Sequence, residues 1–185
     1  MHLNKIGMIL ADTYRTKCYL RALIKNKLSV SYALILLNSK NTIIAGQKKI
    51  TSKNEIVKLL KEAKINFEVI NNTNINDNKV IERIKKRSEK VFIFSGYGGA
   101  ILKEKILNIG KNFLHVHGGY LPDYKGSTTN YYSLINENKL GASAIFLTKD
   151  IDSGPILLRK KFAAPKNRKL IDYKYDSEIR SRVLI

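Results

Sequence analysis

A chain of 185 residues with 44% apolar side chains is long enough to bury one real core and too hydrophobic for wholesale disorder. Its 34 basic and 15 acidic residues leave a net charge of +19, a field that attracts nucleic acid, anionic membrane surfaces or phosphorylated small molecules. No apolar run approaches the ~20 residues of a membrane span, the start "MHLNKIGMILADTYR" lacks the features of a cleaved signal, and the single cysteine, Cys18, allows no intrachain disulfide, so a soluble protein of the reducing cytoplasm is expected.

In chain order, Ile6–Ala11 is a short apolar run ending in a polar loop, the pattern of a buried parallel strand. Asp12 and Thr13 can cap the helix that follows, in which Tyr19, Leu20, Leu23 and Ile24 recur at helical spacing. "YALILLN" is a second strand, "TSKNEIVKLLKEAKI" a helix with Ile56, Leu59 and Leu60 on one face, and "NFEVIN" a third strand. "NDNKVIERIKKRS" is a helix, "KVFIFSGY" a strand, "AILKEKILNIG" a helix stopped by Gly110, and "NFLHVHG" a fifth strand. The helix "TTNYYSLINEN" follows, with Ser127 or Thr128 as its cap, then the strands "GASAIFLTK" and "PILLRKKFA". Repeated strand–helix alternation without an internal repeat or linker predicts one α/β domain over 1–185. Its architecture is Rossmann-like: an open, mostly parallel sheet with helices on both faces.

Ligands of such sheets bind beyond the carboxyl ends of the strands. Three glycine-rich segments fall there: "SGYGG", "HVHGGYLP" and "KDIDSGP". The first strand–helix turn has no G-x-G-x-x-G, so a dinucleotide fingerprint is absent. His115 and His117, two of only three histidines, project to the same face of a strand just before Gly118-Gly119. Such a pair can be core filler, a metal site or an acid–base site. A second shared feature of the strand ends is a carboxylate partner, Asp152, ahead of Gly154-Pro155, although Asp150 offers the same chemistry.

The stretch "LHVHGGYLPDYKGSTTNYYSLINENKLGASAIFLTKDIDSGPIL" resembles the core of the folate-dependent formyltransferases. That family's Asn-x-His-x-Ser-Leu-Leu-Pro stretch ends in a basic residue and glycine, and a later Asp-x-Gly turn follows. His117 matches the family histidine, Tyr120-Leu121-Pro122 the turn, Lys125-Gly126 the basic pair, and Asp152-Ser153-Gly154 the aspartate turn. The resemblance implies transfer of a formyl group from 10-formyltetrahydrofolate to a primary amine, with His117 shuttling a proton and Asp152 orienting it. It also implies a pterin pocket formed by Gly96, Tyr97, Gly98, Gly99 and Ile101, with Asp150 and Ile151 opposite. An acceptor site would include Gly119, Tyr120, Lys125 and Gly126. Two departures stand out: His115 replaces the family asparagine, whose amide donates a hydrogen bond to the developing oxyanion, and Gly118-Gly119 replace Pro-Ser. His115 is expected to take the oxyanion role.

The expected acceptor is a phosphorylated small molecule, an amino sugar on a nucleotide, with Lys125 and the basic surface suiting its phosphates. Nucleic acid and membrane are not expected partners, because the basic clusters "RIKKRSEK" and "LLRKKF" lack interleaved aromatics. Tyr97, Tyr120, Tyr124, Tyr131 and Tyr132 can stack a base or sugar, but ordinary packing accounts for most of them. Two alternatives stay open: a two-His-one-carboxylate metal enzyme, against the expectation of no metal, and a noncatalytic folate- or ligand-binding remnant. "DYKYDSEIRSRVLI" reads as a helix whose apolar face starts at Ile179, Val183 and Leu184. It predicts either completion by a second subunit in a homodimer or a C-terminally truncated chain.

Overall fold

Alternation along the central strands sorts their side chains into two layers. The computed structural model describes residues 1–37 and 53–185. In β1 (His2–Ala11), Met8 and Leu10 point to one face and Ile9 to the other, and all three are fully buried. The first face packs on α1 (Tyr14–Lys25) and α2 (Lys53–Glu62) through Tyr19, Leu20, Leu23, Ile56 and Leu60. The second packs on α3 (Asn78–Lys85) through Val80, Ile81 and Ile84, and on α4 (Glu104–Leu107) through Ile106.

The seven-stranded sheet adds β2 (Ser29–Leu36), β3 (Asn66–Ile70), β4 (Val91–Ser95), β5 (Asn112–His117), β6 (Lys139–Phe146) and β7 (Ile156–Ala163), in the spatial order β3-β2-β1-β4-β5-β6-β7. β1 to β5 pair in parallel, whereas β6 and β7 join antiparallel at one side. The expected α/β architecture is therefore present. The chain steps outward from β1 through β2 to β3, then returns to lay β4 on the other flank of β1. This reversal opens a crevice beyond the carboxyl ends of β1, β4 and β5, which is where such sheets bind ligands.

Local chemistry sets the element ends. Thr13 caps α1, its Oγ1 accepting the Thr16 N–H at 3.1 Å, as expected from the sequence. Residues 51 and 52 of the second predicted helix lie outside the described residues.

Three expectations are corrected. The helix predicted over 100–110 shrinks to α4, because the Asn76 side chain holds the preceding loop: its Oδ1 accepts the Lys103 N–H and its Nδ2 donates to Ile101 O, both at 2.8 Å. α5 (Thr129–Glu137) has no side-chain cap. Thr128 is left-handed there, at φ 64°, and the helix start is tied to the sheet by Thr129 Oγ1 donating to Gly118 O. The C-terminal segment enters through a 3-10 turn (Arg168–Leu170) and a π turn (Ile171–Tyr175) into α6 (Asp176–Leu184). Ile179 and Val183 are buried in the chain's own core, with Leu184 partly buried against it.

Candidate active site

β5 presents His115 and His117 on the face that already carries Phe113, and both rings reach the crevice. His117 is buried, and both of its nitrogens are engaged. Its Nε2 lies 2.9 Å from Tyr124 O and its Nδ1 3.3 Å from Asp152 Oδ1. A carbonyl only accepts, so the Nε2 proton is the one donated to Tyr124. Burial lowers the His117 pKa, while the Asp152 carboxylate and the Tyr124 carbonyl work in the opposite direction.

Asp152 belongs to the loop between β6 and β7 and adopts the left-handed conformation, at φ 51°. Its second oxygen accepts the Gly126 N–H at 2.8 Å, which fixes the carboxylate edge turned to His117. Gly154 supports this loop by closeness: a Cβ there would run into the Phe146 carbonyl. Both carboxylate oxygens of Asp152 are therefore engaged, one by His117 and the other by the Gly126 N–H.

His115 differs. Its Nδ1 sits 3.3 Å from the Phe94 carbonyl, so that nitrogen carries the proton. The remaining nitrogen, Nε2, has no partner among the described residues. The sealed polar atoms without a partner are Asp12 Oδ1, Tyr19 Oη and Asn130 Oδ1, so His115 Nε2 opens to the crevice. Desolvation, then the charges of Arg180 and Arg15, lower the His115 pKa well below the ordinary value, against the Phe94 hydrogen bond. A ring with its proton on Nδ1 turns the Nε2 lone pair to the crevice, whereas the expected oxyanion role needs a proton on Nε2.

Two connected cavities surround the histidines. An apolar slot of 110 Å³ lies between Phe94, Ile101, Leu102, Leu147 and Ile151, with His115 at its mouth. It opens into a cleft of 670 Å³ whose walls include Arg15, Tyr97, His117, Gly126, Asn130 and Arg180. Ile101 and Ile151 are large apolar side chains left 54% and 58% exposed beside the slot. A flat, apolar-faced heterocycle with a polar edge suits this slot, because its lining combines apolar residues with the polar Thr148, Lys149, Asp150 and Asp152.

Cations enter the cleft from two helices. Arg15 of α1 donates through Nη2 to Gly96 O and through Nε to Ser95 Oγ, at 3.4 Å, and has no carboxylate partner among the described residues. Arg180 of α6 is paired with Asp176 at 2.8 Å and donates to Val116 O at 3.2 Å. Gly118 makes room for that pair: a Cβ on it would lie 2.5 Å from Asp176 Oδ1 and closer still to Arg180 Nη2.

Of the residues expected at the site, His115, His117, Asp152, Tyr97, Gly98, Gly99, Ile101, Ile151 and Gly126 line the cleft, and Asp150 lines the slot. Gly96, Gly119, Tyr120 and Lys125 line neither cavity. The Lys125 ammonium instead reaches Ser153 Oγ at 3.1 Å, and the Tyr120 ring lies under Arg159 and Lys161. The three histidine and aspartate side chains do not converge on one point as metal ligands do: His117 turns its nitrogens to Tyr124 and Asp152, and His115 turns Nδ1 to Phe94. Among the described residues no group of three or more His, Cys, Asp or Glu side chains is placed to hold a metal ion. Arg15, Asn130 and Arg180 escaped sequence reasoning. Arg15 had a signal, its position at the carboxyl end of the first strand; Arg180 had none, because only tertiary packing brings α6 here.

The site is thus a histidine–aspartate pair beside a slotted cleft at the switch point of an open α/β sheet. Residues 5–174 match the model of the formyl transferase family, and the chain belongs to that family. The methionyl-tRNA formyltransferase of Finegoldia magna is 34% identical over 95 residues, covering 50% of this chain and 30% of that protein. The chain thus spans well under two thirds of that relative. Glycinamide ribonucleotide transformylase 1 of Symbiobacterium toebii superposes with a TM-score of 0.68 at 14% identity, covering 99% of this chain and 84% of that one. A sugar N-formyltransferase from Shewanella sp. FDAARGOS_354 gives 0.63 at 17% identity, covering 97% and 66%. These two likenesses speak for the fold. No helix among the described residues is long and apolar enough to cross a membrane.

Proposed function

We propose that the chain transfers a formyl group from 10-formyltetrahydrofolate to a primary amine. The observation that carries this reading is the His117–Asp152 contact of 3.3 Å on the wall of a cleft that continues into an apolar slot, in a chain of the formyl transferase family. The donor is a substrate that supplies an activated formyl carbon. The chain's own part is to seat the pterin between Ile101, Leu102 and Ile151, with Phe94 beneath, and to hold a polar wall of His115, His117 and Asp152 beside the cleft. Asp152 orients His117 and stabilises the ring when it is charged.

The acceptor we favour is an amino sugar on a nucleotide. The Arg15 guanidinium, which has no carboxylate partner among the described residues, supports it, since a phosphorylated acceptor supplies an anion to this cation. A second reading, methionyl-tRNA as acceptor, draws on the name of the curated relative and on the net charge of +19. Thermal-shift titration with 5-formyltetrahydrofolate, run with and without a chelator, tests the donor site. A saturable rise indifferent to chelator is expected, about 2.7 kcal/mol at a hundredfold excess over Kd. No rise with the folate, together with a drop on chelation, would overturn the reading in favour of a metal site. Turnover of a nucleotide-linked amino sugar, compared with methionyl-tRNA, then decides the acceptor.

A further inference from the structure

Attack of an amine on a formyl carbon leaves one surplus proton on the attacking nitrogen, which needs a base with a free lone pair in the cleft. His117 does not offer one. Its Nε2–H is given to Tyr124 O, and its Nδ1 edge is covered by Asp152 Oδ1. A substrate nitrogen would have to displace one of these partners to reach the ring. Asp152 is also engaged at both oxygens, by His117 and by the Gly126 N–H. His115 is the one member of the group with an open acceptor, and it stands at the mouth of the slot where both cavities meet.

We propose that His115 is the base of this site, its Nε2 taking the proton from the attacking nucleophile, while His117 and Asp152 form a fixed pair beside it. The proposal rests on the formyl-transfer reading above. The amine lone pair forms the new C–N bond as the carbonyl π pair moves to oxygen. The ammonium proton passes to His115 Nε2. As the carbonyl re-forms, the bond from carbon to N10 breaks, and N10 takes that proton back from His115. One proton moves from the amine to N10, and His115 ends neutral. The Nδ1–H bond to Phe94 O holds the ring orientation through both transfers. The positive charges of Arg15 and Arg180 beside the ring promote its rapid return to neutrality.

Two measurements test this. Long-range proton–nitrogen correlation spectra of the ¹⁵N-labelled chain, free and saturated with 5-formyltetrahydrofolate, read the His115 tautomer directly. A protonated Nδ1 and a bare Nε2 are expected in both states; a proton on Nε2 would overturn the assignment, since the ring would then donate to the cleft. The second is turnover of 10-formyltetrahydrofolate with hydroxylamine, a small nucleophile that is unprotonated near neutral pH. His115→Asn restores the amide of the resembled motif and cannot carry a proton. It should keep its affinity for 5-formyltetrahydrofolate and lose roughly a hundredfold to ten-thousandfold in kcat, and added imidazole should recover part of the loss in His115→Ala. Wild-type kcat in His115→Asn would remove the base role and return the position to oxyanion donation. A wild-type chain that fails to bind the folate removes the formyl-transfer reading instead, so the two failures are told apart.

Discussion

Gly119 has no space for a side chain. A Cβ on it would lie 2.7 Å from His117 Nε2 and closer still to Tyr124 O, the two ends of the 2.9 Å hydrogen bond that engages His117. Tyr124 O is a backbone atom, so it cannot swing aside as a side-chain terminus does. Forcing an extra carbon into a filled site costs about 1–3 kcal/mol. Separating the pair leaves a buried nitrogen unsatisfied, at about 1–3 kcal/mol more. The expected loss for Gly119→Ala is therefore about 2–6 kcal/mol. For a chain of this size each kcal/mol moves Tm by about 2–4 °C, so calorimetry should find Tm lower by roughly 4–24 °C. Gly98→Ala is the control. It stands at the same crevice, but nothing lies within 4 Å of a Cβ there, and its stability should change by no more than about 0.5 kcal/mol. If Gly119→Ala melts with the wild type while His117 keeps its Tyr124 partner, the packing argument fails.

Asp152→Asn keeps an acceptor for the Gly126 N–H and removes the charge beside His117; we expect turnover to fall by less than the roughly hundredfold or greater loss expected of His115→Asn, with little change in 5-formyltetrahydrofolate affinity, measured by steady-state kinetics and titration. Ile101→Ala and Ile151→Ala should each weaken 5-formyltetrahydrofolate binding by about 1–2 kcal/mol, because their exposed side chains flank the slot, and should leave Tm of the free chain within about 1 °C. The depressed His115 pKa ties stability to pH: the folded ring resists a proton that the unfolded ring takes below about 6.5. Stability is then fully present above that pH and declines as pH falls toward the folded value. Urea midpoints between about pH 7 and about pH 5 should drop less steeply in His115→Asn than in the wild type.

The sheet and its layers were legible in the sequence because apolar runs such as "IGMILA" and "VFIFS" carry their own pairing preference, and the intervening helices carry the 3.6-residue period. The histidine–aspartate pair was legible more through the resemblance of the His-x-His and Asp-x-Gly segments to the formyltransferase motif than through spacing alone. What could not be read depended on contacts between distant segments. Asn76, more than 20 residues away in sequence, holds the loop that shortens α4 and forms one side of the slot. The state of His115 also depended on such contacts. Its residue type permits either donation or acceptance, and the choice is made by Phe94 O, an atom on the neighbouring strand. Lys125, expected to suit the acceptor's phosphates from its match to the basic-Gly pair of the resembled motif, instead sets its ammonium on Ser153 Oγ and lines neither cavity.

The departures from the resembled motif at 115, 118 and 119 act as one arrangement. Without a side chain at Gly118, Asp176 and Arg180 of α6 can reach β5, where Arg180 donates to Val116 O, the carbonyl between the two histidines. That places a guanidinium beside His115, and together with Arg15 it works against a charged ring. Without a side chain at Gly119, Tyr124 O can close on His117 Nε2 and occupy it. An asparagine at 115 has no proton equilibrium for those arginines to control, and a residue larger than glycine at 118 would keep Arg180 away. A histidine at 115 beside Arg180 therefore has chemical consequences that neither has alone: one glycine admits a guanidinium that adds to burial in disfavouring a charged ring, and the other engages the second histidine, so the lone pair left facing the cleft is that of His115.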